Sequence, residues 1–144
     1  MQQLSERLLQ LRNERNLTQK EVAENLCMQL KTYKNYEQQK NYPKIPTLID
    51  IAEFYQVSLD YLAGISDERG KVCCPDIENF SKRVIEMRKR VGLSQSAIAK
   101  QLGITKSGYK YYEMGKSVPP LNRLIDLANI FHVTLEYLIG GQEM

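Results

Sequence analysis

The chain of 144 residues is 42% hydrophobic and 26% charged, and its 20 lysines and arginines against 17 aspartates and glutamates give a formal net charge of +3. That length holds one ordinary domain or two minimal ones, not a large two-domain enzyme, and no apolar run approaches the ~18 residues that span a bilayer. Charges within MQQLSERLLQLRNER leave no signal-peptide core and three cysteines suit a reducing compartment, so a cytoplasmic protein is expected. A single histidine leaves no multi-histidine metal site and few general bases, so neither a cofactor nor an enzyme is expected.

The first predicted helix carries Leu4, Leu8 and Leu11 at i, i+4 and i+7, a single apolar stripe. Thr18 is a good N-cap for a short second helix, QKEVAENL, and Glu21 is spaced to complete a capping box. Cys27, Met28 and Gln29 form a turn before a third helix of about nine residues, and Pro43 ends the loop behind it. A fourth helix is expected near 47–55, and Ser58 caps a fifth that stops at Gly64. The segment ISDERGKVCCPDIEN then reads as a connection. Its adjacent Cys73 and Cys74 make a poor metal set and form a disulfide only through a strained ring, so reduced, partly buried thiols are expected rather than a redox sensor.

From residue 80 the pattern starts again. Residues 80–140 align with 4–64 at a constant offset of 76 without a gap, through matches such as Arg7/Arg83, Leu17/Leu93, Ala23/Ala99, Leu26/Leu102, Tyr33/Tyr109 and Pro43/Pro119. Phe80, Val84 and Met87 repeat the first stripe, and Ser94 caps QSAIAKQL, although Ala97 cannot complete a box. Gly103, Ile104 and Thr105 form the second turn. Gly103 suits a positive φ there, whereas Cys27 in the same place implies strain or a different turn. A fourth helix is expected near 123–131, with His132 beside Phe131 as a partly buried packing residue, and Thr134 caps a last helix ending at Gly140. No stretch alternates long enough for a strand. The expectation is an all-α chain of two tandem five-helix domains, 1–65 and 76–144, joined by a linker at 66–75.

On a helical wheel of ~100° per residue the third helix has two sides. Tyr33 and Tyr36 share one, while Lys31, Lys34, Asn35 and Gln38 cluster on the other. In the repeat, Tyr109 and Tyr112 point inward, and Ser107, Lys110, Tyr111 and Met114 outward. Core spacing makes packing the expected role of these tyrosines, with Tyr111 the exception. A charged outer face is the default for any surface helix, and it is also what a major-groove reader presents.

Two short helices joined by a three-residue turn inside a five-helix unit have the outline of a helix-turn-helix. The strings LRNERNLTQKEVAENL, YKNYEQQK and VSLDYLAG, with MRKRVGLSQSAIAKQL, YKYYEMGK and VTLEYLIG, resemble the phage-repressor and Cro type, lambda-repressor-like helix-turn-helix family. The xenobiotic-response-element regulators of bacteria belong to the same family. The resemblance covers both 61-residue copies. It implies a sequence-specific regulator of double-stranded DNA, a repressor in the usual case, inserting the third helix of each domain, or at least of the second, into the major groove.

Carried over by position, the resemblance puts base contacts at Gln29, Leu30, Lys31, Lys34 and Asn35, and at Thr105, Lys106, Ser107, Lys110 and Tyr111. Lysine donates to guanine, asparagine pairs with adenine and Leu30 meets only a thymine methyl, so the domains would prefer different half-sites. It gives Gln19 and Gln95 a role in phosphate anchoring or in bracing the third helix, and Lys40 and Lys116 a role on the phosphate backbone. Arg12 with Glu37, and Arg88 with Glu113, match a structural ion pair of the family. The expected partner is double-stranded DNA, with no membrane. A homodimer, and a domain that dimerises rather than reads, both stay open. The competing function is a protein-interaction module, antitoxin-like or an adaptor, that keeps the fold without reading DNA. Charge separates the copies: residues 4–64 sum to zero, whereas 80–140 sum to +6.

Overall fold

The structure, a computed structural model, describes residues 2–70 and 77–140. All regular elements among them are helical, and the chain divides into two compact units, Met1–Val72 and Cys73–Met144. Cys73 and Cys74 lie outside the described residues.

Unit 1 contains α1 (Gln2–Glu14), α2 (Gln19–Asn25), α3 (Leu30–Glu37), α4 (Ile45–Tyr55) and α5 (Leu59–Ala63). The Thr18 hydroxyl accepts from the Glu21 amide at 3.1 Å and the Glu21 carboxylate accepts from the Thr18 amide at 3.3 Å, closing the capping box that starts α2. Helix α4 begins two residues earlier than the expected 47, because Pro46 in its first turn supplies a ready-made helical φ and no side-chain cap is used. Ser58 caps α5 by accepting from the Tyr61 amide at 3.0 Å. Leu4, Leu8 and Leu11 of α1 are buried in one core with Val22, Tyr33, Leu48, Ile51 and Leu62.

Part of the 66–75 stretch lies against this unit. Arg7 reaches Asp67 at 2.8 Å, Arg69 reaches Glu14 at 2.6 Å, and the Ser58 amide donates to the Arg69 carbonyl at 2.6 Å.

Unit 2 opens with a 3-10 turn (Ile77–Asn79) and continues through α6 (Phe80–Val91), α7 (Gln95–Leu102), α8 (Lys106–Glu113), α9 (Leu121–Phe131) and α10 (Leu135–Gly140). Ser94, Thr105 and Thr134 accept from the amides three residues on, of Ala97, Gly108 and Tyr137. Helix α9 also starts two residues before the expected 123, directly behind Pro120. Arg83 donates to the carbonyls of Leu138 and Ile139 in the last turn of α10.

The units end their helices in the same backbone state with different residues. Left-handed φ occurs at Asn16, Cys27, Gln39 and Gln56 in unit 1, and at the positions 76 further on, Gly92, Gly103, Gly115 and His132, in unit 2. Cys27 therefore makes the same turn as Gly103 and bears the steric cost of φ +54. The same conformation corrects the expectation for His132. A left-handed residue closing a helix turns its side chain off the apolar face, and His132 is exposed while Phe131 before it is buried.

Candidate nucleic-acid interface

Each unit holds its third helix from the inside by one cluster. In unit 1 the Arg12 Nε lies 3.0 Å from Glu37 Oε1, its Nη1 donates to the Leu17 carbonyl at 3.0 Å, and the Gln19 amide donates to Glu37 Oε2 at 2.9 Å. In unit 2 the corresponding distances are 2.8 Å for Arg88 to Glu113, 3.2 Å for Arg88 to Leu93 and 2.7 Å for Gln95 to Glu113. The cluster joins the first helix, the start of the second and the end of the third. Both carboxylates are almost fully buried, at 4% side-chain exposure, so the guanidinium counter-charge and the amide donor are what make their burial tolerable.

Tyrosines complete the inner side. Tyr33, Tyr36, Tyr109 and Tyr112 are buried and Tyr111 is exposed. Burial pushes the Tyr33 and Tyr109 phenols well above the usual tyrosine range, more so at Tyr33, whose hydroxyl lies 3.1 Å from that of Tyr55. Among the described residues the Tyr109 hydroxyl has no hydrogen-bond partner, position 131 being phenylalanine where position 55 is tyrosine.

The outer side is where the remaining residues fall. Gln29 is the N-cap of α3 with no side-chain capping bond, and Gln29 and Lys31 are exposed, with Leu30, Lys34 and Asn35 half-buried along the flanks. Thr105 caps α8 through its hydroxyl oxygen, and Lys106, Ser107, Lys110 and Tyr111 are exposed beyond it. Lys40 and Lys116 stand exposed just past the ends of the two helices, with the Lys116 Nζ 5.6 Å from the centre of the Tyr111 ring. The amides of Gln19 and Gln95 are engaged with the buried glutamates, which is the bracing geometry, and each NH2 group has a second hydrogen to give. The identical spacing of Gln and Glu in the two copies was the sequence signal for this tie. Met114 and Val118, outside the expected contact set, are also exposed.

A braced helix behind a turn and a second short helix is the architecture of a helix-turn-helix. Residues 8–62 and 84–138 each match the Helix-turn-helix family, and the chain belongs to it, with two tandem copies of the lambda-repressor-like kind. Over 63 residues the chain is 40% identical to the uncharacterized HTH-type transcriptional regulator YqaE of Bacillus subtilis, covering 44% of this chain and 54% of the relative. Over 62 residues it is 42% identical to the SPbeta prophage-derived regulator YonR of Bacillus subtilis, covering 43% and 57%. Over 61 residues it is 34% identical to the cryptic phage CTXphi transcriptional repressor RstR of Vibrio cholerae, covering 42% and 54%. The chain thus spans little more than half the length of these relatives. No solved structure gave a significant match. No described helix is long and apolar enough to cross a membrane.

Proposed function

We propose that the chain is a sequence-specific regulator of transcription that binds double-stranded DNA and acts by occupying an operator, with α3 and α8 of domains 1–65 and 76–144 each laid in a major groove. The carrying observation is the repeated brace: in both units an Arg–Glu–Gln cluster fixes the inner side of the third helix while lysines and polar side chains are left on the outer side. A groove ~12 Å wide admits one helix, and only a helix held rigidly presents its side chains to base edges in a constant register. Sequence is read in unit 1 by Gln29, Leu30, Lys31, Lys34 and Asn35, and in unit 2 by Thr105, Lys106, Ser107, Lys110 and Tyr111. Lys40 and Lys116 hold phosphates, and so do the second amide hydrogens of Gln19 and Gln95. The relatives named as transcriptional regulators and as a phage repressor support this reading.

The test is selection of bound duplexes from a random pool by the intact chain. A two-part motif is expected. Lys31→Ala with Asn35→Ala should erase one part, and Lys106→Ala with Ser107→Ala the other. If the intact chain enriches no sequence, the regulator reading fails and the protein-interaction reading takes its place. If one variant pair changes nothing, that unit is not a reader.

A further inference from the structure

The two reading helices present unlike outer lines. At spacing i, i+4 and i+7 the line from exposed Lys31 runs through half-buried Asn35 to Gln38, the C-cap of α3, whereas the equivalent line from Ser107 runs through exposed Tyr111 to exposed Met114, the C-cap of α8. Tyr111 is 49% exposed, Met114 52% and, past the Gly115 turn, Val118 40%. They lie outside the core, since the tyrosines that hold α8 to unit 2 are Tyr109 and Tyr112. Lys106 and Lys110 are exposed on the same helix, and Lys116 stays beside Tyr111, its Nζ 5.6 Å from the ring centre and its amide donating to the Tyr111 carbonyl at 3.0 Å. The acid of this helix, Glu113, is turned inward onto Arg88 and Gln95.

Exposed apolar side chains on a helix that also carries exposed lysines select their partner by charge. A second copy of the same face would set lysine against lysine, whereas a polyanion with apolar points satisfies both parts. The major groove of DNA has one apolar group of this kind, the C5 methyl of thymine, and phosphates along its edges. Resting on the regulator reading, we propose that unit 2, beside the contact made by Lys106, chooses its half-site by contact of Tyr111 and Met114 with thymine methyls, Met114 being a specificity residue beyond those already assigned. Unit 1, with Lys31, Asn35 and Gln38 in the corresponding places, chooses chiefly by hydrogen bonds to purines. Ser107 pairs with any base edge and adds little discrimination.

The two variant pairs above assign each part of the selected motif to a unit. Thymines in the unit 2 part are then replaced by deoxyuridine, which removes only the methyl, and binding by the unaltered full chain is measured. The expected result is a loss of roughly 4-fold per contacted thymine, the worth of one buried methyl group. Tyr111→Asn with Met114→Gln, which installs the side chains of unit 1, should abolish that sensitivity while the unit 1 part of the motif is still recovered. Tyr111→Phe, which keeps the ring, should retain it. A unit 2 part without thymine, or one in which deoxyuridine binds equally well, overturns this inference and leaves the regulator reading standing. Failure of the full chain to bind any duplex overturns both.

Discussion

Tyr33 and Tyr109 occupy the same place in the two units, and the same substitution should act on them with opposite sign. The Tyr33 hydroxyl shares a buried hydrogen bond with Tyr55, so Tyr33→Phe strands the Tyr55 hydroxyl at an expected cost of about 1–3 kcal/mol. The Tyr109 hydroxyl is buried and has no hydrogen-bond partner among the described residues, so Tyr109→Phe should be neutral or raise stability by about 1 kcal/mol. Urea unfolding followed by far-ultraviolet circular dichroism decides the matter, and equal destabilisation by both substitutions contradicts it. That both tyrosines face the core was legible from spacing alone. That one hydroxyl is orphaned was not, because it depends on residue 131, which meets residue 109 only across the fold. His132 was misread for a related reason: the apolar spacing of α9 runs on to it, but the left-handed backbone that ends the helix has no mark in a sequence that lacks glycine there.

Among the elements, the caps and the two short helices before each turn were written locally, in Thr18, Glu21, Ser58, Ser94 and Thr134, and a local signal is all that a capped helix needs. The starts of α4 and α9 carry no side-chain cap, and they fell two residues from their expected places. The brace is the element-scale counterpart of the orphaned hydroxyl, since three segments converge on one carboxylate. Its geometry predicts strong coupling. Glu113→Gln leaves the Arg88 guanidinium, 17% exposed, without its counter-charge, and should lower the stability of unit 2 by about 3 kcal/mol. Arg88→Met with Glu113→Leu removes both charges and should recover most of that loss. The measurement is a double-mutant cycle of Arg88→Met, Glu113→Leu and the two together by denaturant unfolding, with affinity for the selected duplex recorded for each variant. If the losses of the two single variants simply add, Arg88 and Glu113 do not act as a pair and the helix is held by tyrosine packing alone. Affinity falling with Gln95→Ala by more than the accompanying loss of stability accounts for would locate the phosphate role of that amide beside its bracing role.

Over the whole molecule the small net charge of +3 conceals two units of different electrostatic character, one neutral over 4–64 and one at +6 over 80–140. The neutral unit is still polarised. Lys31, Lys34, Lys40 and Lys44 fall within and just after α3, while Glu21, Glu24, Asp50 and Glu53 sit on α2 and α4. On DNA, each phosphate neutralised releases counterions and adds about 0.9 to the slope of log affinity against log salt, so the slope counts phosphate contacts regardless of sequence. Lys116→Ala should therefore reduce that slope by about 0.9 and weaken specific and scrambled duplexes alike. Met114→Gln should shift the selected sequence and leave the slope unchanged, since it alters no charge. Comparing whole units, Lys106→Ala with Lys110→Ala should cost more affinity for scrambled DNA at low salt than Lys31→Ala with Lys34→Ala, because the field of the +6 unit reinforces each of its lysines whereas the acids of unit 1 oppose theirs. Titrations of scrambled duplex at two salt concentrations supply the comparison. Equal losses from the two pairs would mean that only the lysines nearest the groove matter and that the charge asymmetry between the copies has no part in binding.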